Sequence, residues 1–143
     1  MRLLPTVGRD VLAMAMRRDP VLITLAGAPG EKALMTAPDA LPGYLAPVPE
    51  DGSFVNEVAA RVAPTITRHR PGKAAKDVKM PILFCICDHD SVTPPEETLA
   101  YAGTAPLGEI KRHDAGHFDI YLGKPFETVV ADRAEFLTRH LKA

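Results

Sequence analysis

The chain has 143 residues, a length that suits one domain with a core of its own. Its 17 basic and 18 acidic residues give a formal net charge of −1, so the chain has neither a basic field for nucleic acid nor an acidic tail. No apolar run reaches the roughly 18 residues of a membrane span, and the first residues lack the apolar stretch of a secretory signal. These features predict a cytoplasmic globular protein with neither nucleic acid nor a membrane as partner.

The first 78 residues predict an irregular, largely helical segment. Prolines and glycines are concentrated between Pro20 and Pro49, which favours long loops and short helices. Residues 21–25 are apolar and β-branched, and they fit either a strand or a helix. Helices are predicted over residues 7–18, around 39–45, over 53–67 with an interruption at Pro64, and over 71–77.

The second half alternates strands and helices. Residues 81–87 form a continuous apolar run, which predicts a central strand of a covered parallel sheet. Thr93-Pro94-Pro95-Glu96 has the pattern of a capping box and predicts a helix over residues 94–103. The following sequence predicts a short strand at 109–112, a loop at 114–119 and a terminal helix at 125–141.

This order predicts the end of a parallel α/β sheet. Because two strands alone are marginal in water, we expect something else to extend or cover the sheet. One face of the terminal helix is apolar and should be buried. The residues on that face are Phe126, Val129, Val130, Ala134, Leu137 and Leu141.

An acid and a histidine follow the two predicted strands. Asp90 comes shortly after the first strand, and His117 lies in the loop after the second. Catalytic groups in open α/β sheets gather at the carboxyl ends of strands, so the two side chains should share one edge. When a carboxylate accepts a hydrogen bond from one ring N–H of a histidine, the other ring nitrogen is free to act as a base. Asp90 and His117 are therefore the candidate catalytic residues.

Residues 80–94 carry a family resemblance in the sequence MPILFCICDHDSVTP. This stretch resembles the penultimate-strand signature of α/β-hydrolases. That signature is a proline, an apolar strand, a turn residue, two variable residues, an aspartate and an apolar-x-proline ending. In that resemblance Asp90 takes the place of the triad acid, and His117, within Ala115-Gly116-His117-Phe118-Asp119, that of the triad histidine. It covers residues 79–141 well.

The resemblance implies the C-terminal half of an α/β-hydrolase of the bacterial esterase- or serine-peptidase-like type. Residues 79–143 would be the core segment, and residues 1–78 a helical cap or lid-like segment. The implied reaction is hydrolysis of a small-molecule ester, thioester or amide by a Ser-His-Asp mechanism, with no cofactor and no metal.

The chain departs from the family pattern at two places. Cys87 stands where the turn usually has glycine, and the nucleophile elbow G-x-S-x-G is absent. Its two serines, Ser53 and Ser91, lack the flanking glycines of an elbow. The strands that carry the nucleophile and the oxyanion donors are expected upstream. The chain would then be either a fragment or truncated gene product of such a hydrolase or one that has lost catalysis, and we expect little or no esterase activity from this chain alone.

Two other classes of function fit the same residues. An apolar strand edge left by a missing half of the sheet would suit a non-catalytic binding or dimerisation module, so the expected partner is a second copy or the missing N-terminal half. Metal binding is the weaker alternative, since no fixed-spacing ligand motif is present. Its candidate ligands are Asp88, His89, Asp90, His113, Asp114, His117 and Asp119. Cys85 and Cys87 are predicted to be buried, reduced small hydrophobes.

Overall fold

The computed structural model describes residues 3–141, and the chain divides between His69 and Arg70 into two compact units. Each unit contains a sheet of its own. No helix within residues 3–141 is long and apolar enough to cross a membrane.

The first unit is built around a three-stranded sheet with β1 (Leu22–Ala26) at its centre. Strand β1 pairs in parallel with β2 (Ala33–Met35) and antiparallel with β3 (Glu57–Ala59). The helices of this unit are α1 (Leu4–Ala15), α2 (Ala40–Leu45) and α3 (Ala63–Arg68), the last preceded by a 3₁₀ turn at Ala60–Val62.

This unit contains more strand than the sequence predicts. The predicted helix over 53–67 is wrong, because residues 57–59 form β3 and the α-helix begins only at Ala63. The side chain of Asn56 accepts the Ala26 N–H at 2.9 Å and donates to the Ala26 carbonyl at 2.8 Å. These two bonds hold the chain extended beside β1. The role of residues 1–78 as a cap stays a prediction.

A buried carboxylate ties α1 to the rest of the first unit. Asp10 is fully buried, and it accepts the Val21 N–H at 2.8 Å and the Arg61 N–H at 2.6 Å. The Arg61 guanidinium also lies 2.6 Å from Oδ1 of Asp10. This side-chain bond to Arg61, with the two backbone bonds, holds the pKa of Asp10 far below its usual range despite burial.

The second unit has the alternating order that the sequence predicts. A 3₁₀ segment at Pro71–Asp77 precedes β4 (Ile82–His89), α4 (Pro95–Ala102), β5 (Gly108–Gly116), a 3₁₀ turn at Asp119–Tyr121 and α5 (Gly123–His140). Strands β4 and β5 run parallel, from Ile82 opposite Gly108 to Cys87 opposite His113. The ladder then shifts, so that His89 lies opposite Gly116.

Two local predictions in this unit are wrong. Strand β5 runs to Gly116, so the first part of the predicted loop at 114–119 belongs to the sheet. Helix α4 begins at Pro95 without a side-chain cap. The N–H of Thr93 donates to Asp90 instead, which places Thr93 in a turn one residue ahead of the capping position, Pro94.

Charged pairs join β5 to α5. Arg139 lies 2.6 Å and His140 lies 3.0 Å from the carboxylate of Glu109, and the bond to Arg139 is the main cause of the lowered pKa of Glu109. Lys111 lies 3.2 Å from Asp132, which raises the pKa of Lys111. These contacts hold the helix along the strand.

The apolar face predicted for the terminal helix is only partly buried. Val129 is 1% exposed, and Phe136 is also buried, although the predicted set did not include it. The other members of the predicted face are all exposed, so the expectation that the whole face is buried is wrong for the described chain. The exposed members are Phe126, Val130, Ala134, Leu137 and Leu141.

An open groove lies beside this helix face. Within the described residues the second sheet has only two strands, so β4 pairs along one edge alone. A groove of about 600 Å³ is lined by Ile82, Leu83, Phe84, Phe136 and Leu137, among others. We call this groove, together with the exposed face of α5, the apolar edge.

Candidate active site

The two predicted site residues meet at one end of the β4–β5 sheet. Asp90 follows β4 by one residue and His117 follows β5 by one residue. Because the strands are parallel, both residues emerge at the same rim. Nδ1 of His117 lies 2.8 Å from Oδ2 of Asp90. The side chains are 27% and 13% exposed, so the pair is largely shielded and still accessible.

The second oxygen of Asp90 is held by the backbone of the next turn. Oδ1 accepts the N–H of Val92 at 2.9 Å and that of Thr93 at 2.6 Å. These bonds fix the carboxylate in one orientation and leave Oδ2 for the imidazole. The sequence analysis missed these two donors, although an aspartate that starts a turn commonly accepts the N–H two residues on.

The contact with Asp90 determines which nitrogen of His117 carries the proton. A carboxylate accepts hydrogen bonds and does not donate them, so the 2.8 Å contact requires the proton on Nδ1. The lone pair then lies on Nε2, where a proton can be taken up. The ring of Phe118 packs edge-on against the imidazole, with 4.8 Å between centroids. The pair therefore has the orientation that a general base requires.

A side chain also closes the turn that carries His117. Oδ2 of Asp119 accepts the N–H of Gly116 at 2.7 Å. The donor and the acceptor lie on opposite sides of His117 in the chain. The hydrogen bond therefore closes a short loop of backbone around the histidine.

A cavity of about 210 Å³ adjoins the pair, and all of its walls belong to the second unit. Its lining residues are Cys85, Ile86, Cys87, Asp90, Thr93, Pro95, Thr98, His117, Ile120 and Tyr121. The cavity gives a small group access to the imidazole.

The two thiols in this wall differ. Both are free, and Cys87 is buried as expected, whereas Cys85 is partly exposed and so departs from the prediction. Burial is the main cause of the raised pKa of Cys87, and the negative charges of Asp90 and Asp119 raise it further. A raised pKa lowers the thiolate fraction, so Cys87 is a poor nucleophile.

Comparison with known proteins identifies the fold. No family model matches the chain. The chain superposes on the DcsB structure, solved in complex with its substrate analogue, with a TM-score of 0.75 at 20% identity, covering 99% of this chain and 50% of that one. For the α/β-hydrolase GrgF from Penicillium sp. sh18 the TM-score is 0.67 at 16% identity, with coverage of 96% and 48%.

The chain has an α/β-hydrolase fold. The coverage agrees with the expectation that it corresponds to about half of such a fold. In sequence it is 44% identical over 131 residues to the quorum-quenching protein AidA of Acinetobacter baumannii (strain MDR-ZJ06). That match covers 92% of this chain and 43% of AidA, so the chain spans less than half the length of this relative.

Other polar residues near the sheet end of this α/β-hydrolase fold have partners away from His117. Asp88 lies 2.7 Å from Arg112, and His89 lies 2.7 Å from Asp114. By contrast, the buried Nε2 of His113 lies 3.8 Å from Asp132 of α5 and forms no hydrogen bond with any described residue. Within residues 3–141 no three carboxylate, imidazole or thiol groups come together as they would to hold a metal ion.

Ser91 is the serine nearest to the pair in sequence. A nucleophile elbow places serine on a sharp turn that leads directly from a strand into a helix. Here β4 ends at His89 and α4 begins at Pro95, so five residues separate the two elements. Ser91 lies in this wider turn, one residue after Asp90. Ser53 belongs to the other unit.

Proposed function

We propose that this chain supplies the acid and the histidine of a serine hydrolase that cleaves esters, thioesters or amides. The observation that carries the proposal is the 2.8 Å contact between Nδ1 of His117 and Oδ2 of Asp90. The α/β-hydrolase fold supports it, because the pair lies at the carboxyl ends of parallel strands.

In this scheme His117 moves one proton in each half of the reaction. Nε2 takes the proton of a serine hydroxyl while the serine oxygen bonds to the substrate carbonyl carbon. His117 then returns that proton to the leaving oxygen, sulfur or nitrogen as its bond to carbon breaks, which leaves an acyl-serine. Water repeats the sequence, and the acid and the free serine are released. Asp90 stabilises the imidazolium that forms at each stage.

We infer that the serine comes from polypeptide outside these 143 residues. The turn that holds Ser91 is unlike an elbow, and the solved relatives carry about as much chain again as the part that this chain covers. The two donors that stabilise the oxyanion belong, in this fold, to the residue after the nucleophile and to an early loop. They would come from the same polypeptide.

The apolar edge is the surface we assign to that polypeptide. Strand β4 has an unpaired edge in the described chain, and Leu137 of α5, which lines the groove, is 49% exposed. Val130 of the same helix is 42% exposed. A strand added along β4 would satisfy its backbone and cover these side chains. It would also end at the same rim as Asp90 and His117 if it ran parallel to β4.

The test compares this chain alone with the chain co-expressed with the part of AidA that it does not match. We expect no p-nitrophenyl ester turnover and no fluorophosphonate labelling from the chain alone. The pair of polypeptides should label on a serine of the added part, and His117→Ala should abolish turnover. His89→Ala is the matched control and should leave turnover unchanged. Labelling of the chain alone would contradict the proposal.

The identity to AidA favours a narrower substrate class. We propose that the ester or amide lies in a bacterial signalling molecule, since AidA is named a quorum-quenching protein. The same pair of polypeptides should open an acyl lactone, measured as acid released at constant pH. A complex that turns over the p-nitrophenyl ester and leaves lactones intact would remove this narrower proposal and keep the broader one.

A non-catalytic assembly module is the second candidate, because the apolar edge could instead pair with a second copy. Sedimentation equilibrium of the chain alone distinguishes the two proposals. A dimer that persists when the AidA part is added would favour assembly, and a chain that leaves its dimer to join the AidA part would favour the hydrolase.

A further inference from the structure

One side-chain acceptor bridges the turn that carries His117. Oδ2 of Asp119 lies 2.7 Å from the N of Gly116, so the bond spans the histidine. A Cβ built on Gly116 would lie 3.1 Å from the same oxygen. The carboxylate therefore lies directly against the glycine, and a methyl group there would require the carboxylate to shift by a few tenths of an ångström.

The sheet gives this end of β5 less support than the rest of the strand receives. The β4–β5 ladder is regular up to the pair Cys87 and His113, and it shifts before His89 and Gly116. After Gly116 the chain leaves the sheet, and a 3₁₀ turn begins at Asp119. The side chain of Asp119 therefore links the start of the 3₁₀ turn to Gly116, the last residue of β5.

We propose that Asp119 is a positioning residue, which keeps the imidazole of His117 against Asp90 by holding the Gly116 N–H. This inference rests on the proposed use of His117 as a base. Asp119 is exposed, which weakens the effect of its charge, and the group that it binds is the N–H dipole of Gly116. The acceptor oxygen therefore matters more than the negative charge.

The test follows the Nδ1 proton of His117 by NMR in the full ¹⁵N-labelled chain. This proton exchanges with water only when the bond to Asp90 opens, so its exchange rate reports the position of the ring. Asp119→Ala should speed the exchange about fivefold, the change expected for one net hydrogen bond. Asp119→Asn keeps an acceptor and should stay within about twofold of the unchanged protein.

Two further variants sharpen the comparison. Gly116→Ala leaves Asp119 in the chain but crowds its carboxylate, which lies 3.1 Å from the added Cβ, so we expect a weaker bond to the residue 116 N–H and faster exchange. Asp51→Ala is the matched control, because Asp51 also accepts a backbone N–H in an exposed loop, that of Ser53 at 3.1 Å, in the other unit. It should leave the His117 signal unchanged.

The outcomes separate this inference from the proposed function. Unchanged exchange in both Asp119→Ala and Gly116→Ala would overturn the positioning role. Equal acceleration by Asp119→Asn and Asp119→Ala would overturn the claim that the acceptor, and not the charge, is responsible. Asp90→Ala should abolish the protected signal; if it does not, the Asp90–His117 pair itself fails, and the proposed function fails with it. Circular dichroism spectra must match for each variant compared.

Discussion

Oδ2 of Asp90 lies 2.8 Å from Nδ1 of His117, although 27 positions separate the two residues in the chain. One helix and one strand fill that interval, and the parallel pairing of β4 with β5 brings both ends to one rim. Oδ1 of the same carboxylate is held by two backbone N–H groups, so the acid is oriented before any substrate binds.

Replacing Asp90 by asparagine should disable the base. An amide can donate to Nδ1, which would place the ring proton on Nε2 and remove the lone pair that the reaction needs. In the proposed complex of this chain with the AidA part we expect Asp90→Asn to lower kcat by about 10⁴-fold. Asp88→Asn serves as the control, since the Asp88 carboxylate binds Arg112 and not His117. Initial rates with a p-nitrophenyl ester measure the effect, and equal rates for the two variants would contradict the prediction.

Asp10 should make the protein less stable in acid. Its pKa is far below the usual range in the folded chain, chiefly through the bond to Arg61, and returns to about 4 on unfolding. A depressed pKa contributes stability above the unfolded value, and that stability is lost as the pH falls toward the folded value. Asp10→Asn should therefore be less stable at pH 7 and lose less stability between pH 5 and pH 3. Urea midpoints of both proteins at each pH measure the difference.

The control for Asp10 is Asp19→Asn, at an exposed aspartate just beyond α1. This variant should keep both the midpoint at neutral pH and the acid sensitivity. A parallel loss of stability with pH in Asp10→Asn and in the unchanged protein would show that the buried pair does not cause the acid sensitivity.

Adjacent valines on α5 should respond differently to truncation. Val129 is 1% exposed and Val130 is 42% exposed. Val129→Ala removes buried methyl groups and leaves a cavity, so the free energy of unfolding should fall by about 2 kcal/mol. Val130→Ala should change it by less than about 0.5 kcal/mol. Urea unfolding of the chain alone measures both variants.

The Val130→Ala variant also tests the apolar edge. If the edge receives a second polypeptide, Val130→Ala should weaken that association while leaving the isolated chain stable. Equal affinity of Val130→Ala and the unchanged chain for the AidA part, measured by titration calorimetry, would exclude this face of α5 from the contact.

The two thiols beside the pair should react at different rates. Cys85 is partly exposed, whereas Cys87 is buried with a raised pKa. Iodoacetamide at pH 8 should therefore modify Cys85 first, and Cys87 should react fully only after unfolding. Mass spectrometry of the digested protein gives the order. Modification of Cys87 ahead of Cys85 in the folded protein would contradict the assigned burial.

The sequence by itself determined the order of strands and helices in the second unit and the positions of its acid and histidine. A strand that is apolar on both faces and a long helix each have a pattern that extends over seven or more consecutive residues, so the sequence predicts them. The positions of Asp90 and His117 follow from where the strands end. The three-residue strands β2 and β3 carry no such local signal. They form because distant groups meet, as Asn56 meets Ala26, and only the tertiary structure decides such contacts. The same holds for the exposed face of α5, since the presence of a covering element cannot be known from that helix's own residues.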